Sequence, residues 1–342
     1  MARLVLHIGT HKTGTTTVQD ILHANRALLA EHAVIYPDCA PHTGHHGFLT
    51  DWIALPAAYV RDGGGRRGLA RLADIWRGTE ATLLLSSEEF SRAGGVGGRV
   101  DFEELRRIFE GYDTLVLCVV REQWQFLQSV YVEVARSRVP PRPPDLITGA
   151  LATGLVDGLF CDYGRLHGKL RHHFAADEMR FFDYAVARSS PGGVVGTLLR
   201  HVAPALTVDR LLPVNCGMSN VSPRALSLWA ALAVAGNKLP DTELREAAST
   251  AFDLEYPGRV GSCLFTREEL REMAGHFTAT NAALCEAVSR VQPGFALSRN
   301  SVAADAICRE DISSAYFLRL ARRLWMAQRE TGESLMRNAL GP

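Results

Sequence analysis

Short apolar runs recur through the first half of the chain, each stopped by glycine, proline or polar residues. They lie at residues 4–8, 33–36, 81–85 and 114–120, and the last is the longest. Runs of this length without alternation predict strands buried on both faces, as in a parallel sheet. Residues 179–183 supply a fifth. Between them the apolar positions change to helical spacing. Val18, Ile21, Leu22 and Leu29 form one stripe after residue 14, and further helices are predicted over 69–76, 102–109 with Asp101 as N-cap, 123–136, 163–174 and 193–203. From residue 211 onward the pattern is almost wholly helical, over 223–236, 242–252, 266–288 and 311–337. Alternating strand and helix followed by helices predicts an α/β fold: a three-layer parallel sheet of about five strands, flanked by helices, with a helical C-terminal region. The expected organisation is a core over 1–210 and a helical extension of the same domain over 211–342. The proline-rich stretch 139–144 is a stiff connection.

The junction of the first strand and helix carries the most specific chemistry. Residues 9–17, Gly-Thr-His-Lys-Thr-Gly-Thr-Thr-Thr, combine two turn glycines, a lysine and a row of hydroxyls at a helix N-terminus, the grammar of a phosphate-binding loop. A nucleoside-triphosphate loop places its lysine directly after the second glycine. Here Thr15 stands at that position and the cation is inside the loop, as Lys12. The pattern strand, then G-x-x-K-[ST]-G-[ST]-[ST], resembles the 5′-phosphosulfate loop of the sulfotransferases. Arg121 at the end of the 114–120 run, with Ser129 eight residues on, is similar to the element of that family that grips the 3′-phosphate.

The resemblance implies a donor, 3′-phosphoadenosine 5′-phosphosulfate (PAPS), and a product, 3′-phosphoadenosine 5′-phosphate (PAP). It implies that His11, Lys12, Thr13, Gly14, Thr15, Thr16, Arg121 and Ser129 bind the nucleotide, and that Lys12 neutralises the leaving oxygen. A base must lie on the acceptor side. Glu88, just past the 81–85 run, is the first choice, with Glu89 and His46 as alternatives. Arg259, between Gly258 and Gly261, is a weaker candidate for the 3′-phosphate, because the late R-K-G-x-x-G element of the cytosolic sulfotransferases is missing. A donor of this kind needs no metal bridge, and no metal site is expected. The acceptor is a small molecule or a glycan. The competing readings are a P-loop kinase and a nucleotide-binding module without catalysis.

Composition narrows the classes. The 342 residues are 47% hydrophobic and 22% charged, with 37 basic and 37 acidic side chains, so no basic excess argues for nucleic acid. No segment has the apolar length of a membrane span and none reads as a leader, so the expected location is cytoplasmic. Seven scattered cysteines with no CxxC pair read as free thiols. His42, His45 and His46 read as a solvated loop, and the glycines of 62–68 as a flexible surface connection.

Overall fold

The computed structural model describes residues 1–94, 97–214, 223–236, 238–258, 261–299 and 302–340. The strands are β1 (Arg3–His7), β2 (Val34–Ile35), β3 (Thr82–Ser86), β4 (Asp113–Val120), β5 (Leu155–Val156), β6 (Leu159–Phe160) and β7 (Met179–Asp183). Five of them form one parallel sheet in the order β2-β3-β1-β4-β7, and β5 pairs with β6 in a separate hairpin. The helices are α1 (Thr15–Ala24), α2 (Arg26–Glu31), α3 (Gly65–Trp76), α4 (Phe102–Ile108), α5 (Gln123–Val134), α6 (Pro143–Thr153), α7 (Tyr163–Arg171), α8 (Tyr184–Ser189), α9 (Gly193–Val202), α10 (Ala225–Val234), α11 (Thr242–Glu255), α12 (Arg267–Ser289) and α13 (Ser314–Leu340). The fold is therefore α/β, a five-stranded parallel sheet flanked by helices with a helical C-terminal region.

Two compact units divide the chain. The first comprises Met1–Phe126, Gly149–Ser219 and Gly275–Arg299; the second comprises Leu127–Thr148, Asn220–Ala274 and Asn300–Pro342. In the first unit the pleat sends alternate residues to opposite faces. Leu4, Leu6 and Ile8 pack with Leu83, Leu85, Val116 and Cys118 against Leu69, Phe102 and Leu166. Val5, Leu84, Leu115, Leu117 and Val119 face the other way, onto Val18, Leu22, Leu198 and Val202. The sheet is covered on both sides, which is why its strands read as apolar runs. In the second unit, Leu226, Ala230, Ala248, Phe252, Tyr316 and Leu320 form a core of their own, and the Tyr316 hydroxyl donates to the Ala248 carbonyl at 3.2 Å.

Several local expectations change. The first helix stops at Asn25, whose side chain donates to the Ile21 carbonyl at 2.8 Å and accepts the Leu212 amide at 2.7 Å, so Leu29 belongs to α2. The 62–68 stretch is not all connection, because α3 starts at Gly65. The Asp51 carboxylate accepts the Arg66 amide at 2.7 Å, and a Cβ on Gly65 would lie 2.4 Å from the Phe48 carbonyl oxygen. The β5–β6 hairpin turns on Asp157 and Gly158 with φ of 51° and 75°. Asp-Gly is the residue pair favoured for such a turn, so the signal was present in the sequence. Of the seven cysteines, Cys39, Cys118, Cys161, Cys263 and Cys308 are buried and Cys285 is partly so, all as free thiols. Cys216 lies outside the described residues.

Candidate functional site

The central strand β1 lies between β3 and β4, so the segments leaving these three parallel strands emerge side by side at one edge of the sheet. Ligands of open α/β sheets bind at this edge. The β1–α1 loop is tied to β4, with the Thr10 amide donating to the Val119 carbonyl at 2.6 Å and the Thr10 hydroxyl to the same oxygen at 3.1 Å. Gly9, Lys12 and Gly14 all take left-handed backbone conformations, with φ of 80°, 62° and 82°. Gly14 is the N-cap of α1 and carries no side-chain cap bond, so the first-turn amides of the helix have no capping side chain. An anion placed there would meet those donors and the positive end of the helix.

The predicted loop residues therefore sit together, with different exposures. Thr15 is buried and Thr16 exposed, while the buried Thr13 turns its hydroxyl inward to donate to the Thr10 carbonyl at 2.6 Å. Arg121 joins them from the end of β4. Its Nη1 donates to the Lys12 carbonyl at 3.2 Å, its Nε to Gln125 Oε1 at 3.2 Å, and its guanidinium lies 5.1 Å from the Tyr184 ring centroid. Tyr163, a buried core residue, bonds its hydroxyl to the Arg121 carbonyl. Burial lowers the Arg121 pKa, a cost that an anion beside it would offset. Ser129 is on α5 in the second unit. Arg259 lies outside the described residues.

On the other side of β1, the chain leaves β3 through Ser87 into a 3₁₀ turn over Glu88–Ser91. Glu88 is pressed against the loop, since a Cβ on Gly9 would lie 2.9 Å from Glu88 Cβ. Burial of Glu88 favours the neutral acid. The charges of His46 and His11 and the Gln19 hydrogen bond outweigh that effect, and the carboxyl stays below its ordinary range. Glu89 is used differently. It bonds Arg92 and, at 3.3 Å, His11 Nε2, and against the opposing effect of burial these partners hold its pKa at about 2. His11 is thus fixed by Glu89, and Glu89 has little basicity left.

The histidine loop is solvated only in part, with His45 buried and His42 and His46 partly exposed. His45 is 0% exposed, with Nδ1 accepting the Ser86 amide at 2.8 Å and Nε2 donating to the Pro37 carbonyl at 2.9 Å. His46 Nδ1 is hydrogen-bonded to Ser87 Oγ at 2.7 Å, and His42 stacks on Tyr59 with centroids 4.1 Å apart. His7, at the end of β1, is 1% exposed and bonds Ser86 Oγ through Nδ1 at 2.8 Å. Among the described residues no group of three or more His, Cys, Asp or Glu side chains is placed to hold a metal ion, and no helix is long and apolar enough to cross a membrane.

No family model matches the chain, and no curated protein matches it. Among the solved structures that match is a sulfotransferase from Alicyclobacillus acidocaldarius, 12% identical, with a TM-score of 0.45, covering 85% of this chain and 96% of that one.

The buried histidines make a prediction about acid stability. Burial lowers His7 from 6.5 to about 4 and His45 from 6.5 to about 3. The unfolded chain therefore binds protons that the native state refuses as pH drops below 6.5, so stability falls through that window. Thermal melts should show Tm declining already between pH 6.5 and 4.5, above the ordinary carboxylate range; a flat Tm there would contradict the assignment.

Proposed function

We propose that the protein is a sulfotransferase that moves a sulfuryl group from PAPS to a hydroxyl or amine of a small-molecule or glycan acceptor and releases PAP. The observation that supports this best is the pairing of cations at one loop: Lys12 within it, and the Arg121 guanidinium bonded to the Lys12 carbonyl at 3.2 Å. A kinase loop would carry its lysine one residue past Gly14, and the residue there is Thr15.

In the proposed reaction the acceptor oxygen or nitrogen forms a bond to sulfur while the bond from sulfur to the 5′-phosphate oxygen breaks. The electron pair leaves with PAP, and the acceptor proton passes to Glu88. Lys12 would neutralise the charge gathering on the leaving oxygen. Gly14, Thr15 and Thr16 would hold the 5′-phosphate through backbone amides and hydroxyls, Arg121 and Ser129 would hold the 3′-phosphate, and His11, anchored by Glu89, would line the loop. His46 beside Glu88 is the second candidate for the base. Sulfuryl transfer needs mainly positioning and charge stabilisation, which such a set supplies.

The test is titration of the purified protein with PAP in the absence of magnesium, followed by turnover of a labelled sulfate donor across an acceptor panel. Saturable PAP binding and label transfer are expected. ATP binding that requires magnesium, with no affinity for PAP, would overturn the reading; PAP binding without turnover would leave a nucleotide-binding module. Arg121→Lys should separate the two phosphates. Losing a charged, stacked guanidinium contact should weaken PAP by about ten- to a hundredfold and adenosine 5′-phosphate far less, as read by calorimetry. Equal losses for both nucleotides would remove Arg121 from the 3′-phosphate role.

A further inference from the structure

Gln19 stands on the buried side of α1, 3% exposed, beside the apolar Val18 and Leu22. An amide in that position is costly unless its hydrogen bonds are met. It is met by a residue 69 positions away, with Gln19 Nε2 donating to Glu88 Oε2 at 3.0 Å. The same carboxylate oxygen lies 3.9 Å from His46 Nε2, and the His46 ring is held from its other side by Ser87 Oγ. Two glycines make room for this cluster. A Cβ on Gly44 would lie 2.6 Å from Gln19 Oε1 and 2.8 Å from His46 Nε2, and one on Gly9 would meet Glu88 itself.

We infer that Gln19 is a positioning residue that fastens the Glu88 carboxylate to the helix of the phosphate loop, so that loop and carboxylate form one assembly before any donor binds. Glu88 is joined to the loop twice, through Gly9 at its start and Gln19 one turn into α1. A donor phosphate docking on the first turn of α1 would thus meet a carboxylate already set in place. The kinetic consequences rest on the proposed sulfuryl transfer, whereas the fastening does not. The titratable and charged groups facing Glu88 are His46, His11, His7, Tyr36, Tyr59 and Arg92. Gln19 is the neutral partner, so it can be altered without changing the charge around the carboxylate.

Gln19→Met keeps the length and helix propensity of the side chain and removes the N–H donor. The expected result is a fall in kcat on the order of 10²-fold, the scale of an ångström's misplacement of a reacting group, with PAP affinity unchanged. The acidic limb of the kcat/KM profile should move to higher pH, because a hydrogen bond to the ionised carboxylate is lost. Gln19→Glu, which adds a like charge, should move it further. A fall in kcat with an unmoved limb would make Gln19 a packing residue and overturn the inference.

Two readouts do not depend on activity. Carboxylate carbon NMR should show Glu88 titrating at higher pH in Gln19→Met than in the wild type. In the wild type, the Gln19 side-chain amide signals should shift with the Glu88 titration, which needs no variant to fold. If either fails, the fastening is wrong whatever the enzyme does. If both succeed while no sulfuryl transfer is found, the proposed function is wrong and the fastening stands.

Discussion

Lys12→Ala is expected to reduce sulfuryl transfer by about 10²- to 10³-fold, the loss that follows removal of one preorganised donor aimed at developing negative charge. The loop should survive the change. What Arg121 bonds is the Lys12 backbone carbonyl, which the substitution leaves in place, and Gly9, Gly14 and the Thr10 bonds to Val119 keep the backbone path. The effect should therefore fall on the chemical step more than on the fold. Single-turnover rates with labelled donor, taken beside PAP affinity and a thermal melt, separate these terms. Activity near the wild-type level would exclude Lys12 as the cation of the leaving oxygen, and with it the central assignment of the loop.

Glu88→Gln is expected to lower turnover by about 10²- to 10⁴-fold, the usual contribution of a general base, with donor binding nearly unchanged. The substitution preserves shape against Gly9, and the new amide can still meet Gln19, so packing is not the variable. Because its neighbours hold Glu88 below the ordinary carboxylate range, wild-type kcat/KM should be level through neutral pH and fall only in acid. That acidic limb should vanish in the variant. If turnover is near normal, the proton goes elsewhere, and His46, 3.9 Å from Glu88 Oε2, becomes the residue to substitute next.

The sequence carried the sheet clearly because every core strand is buried on both faces. A residue such as Leu84 or Val116 has no polar alternation to blur it, and the segments that leave these strands hold the candidate chemistry. The lysine inside the Gly9–Gly14 interval was likewise legible, since the loop is contiguous in sequence. Contacts between distant segments were not. Asn25 ends a helix by binding a backbone 187 residues away, and nothing near residue 25 announces it. Gln19 is one polar residue on a helix, and only the fold brings Glu88, 69 positions away, beside it. His45 belongs to a polar, glycine-rich stretch whose composition suggests solvent, yet its two ring nitrogens are consumed by Ser86 and Pro37 in the interior.

The order of strands has a stereochemical consequence. With β1 in the centre, Glu88 follows its neighbour β3 and Arg121 its other neighbour β4, so the carboxylate and the guanidinium flank the β1–α1 loop from opposite sides. Under the proposed chemistry the nucleoside end of the donor extends toward β4 while the acceptor arrives from β3. Entering and departing groups would then lie on opposite sides of sulfur, as a displacement with inversion demands. The line of approach and departure at sulfur would be written into the sheet's topology.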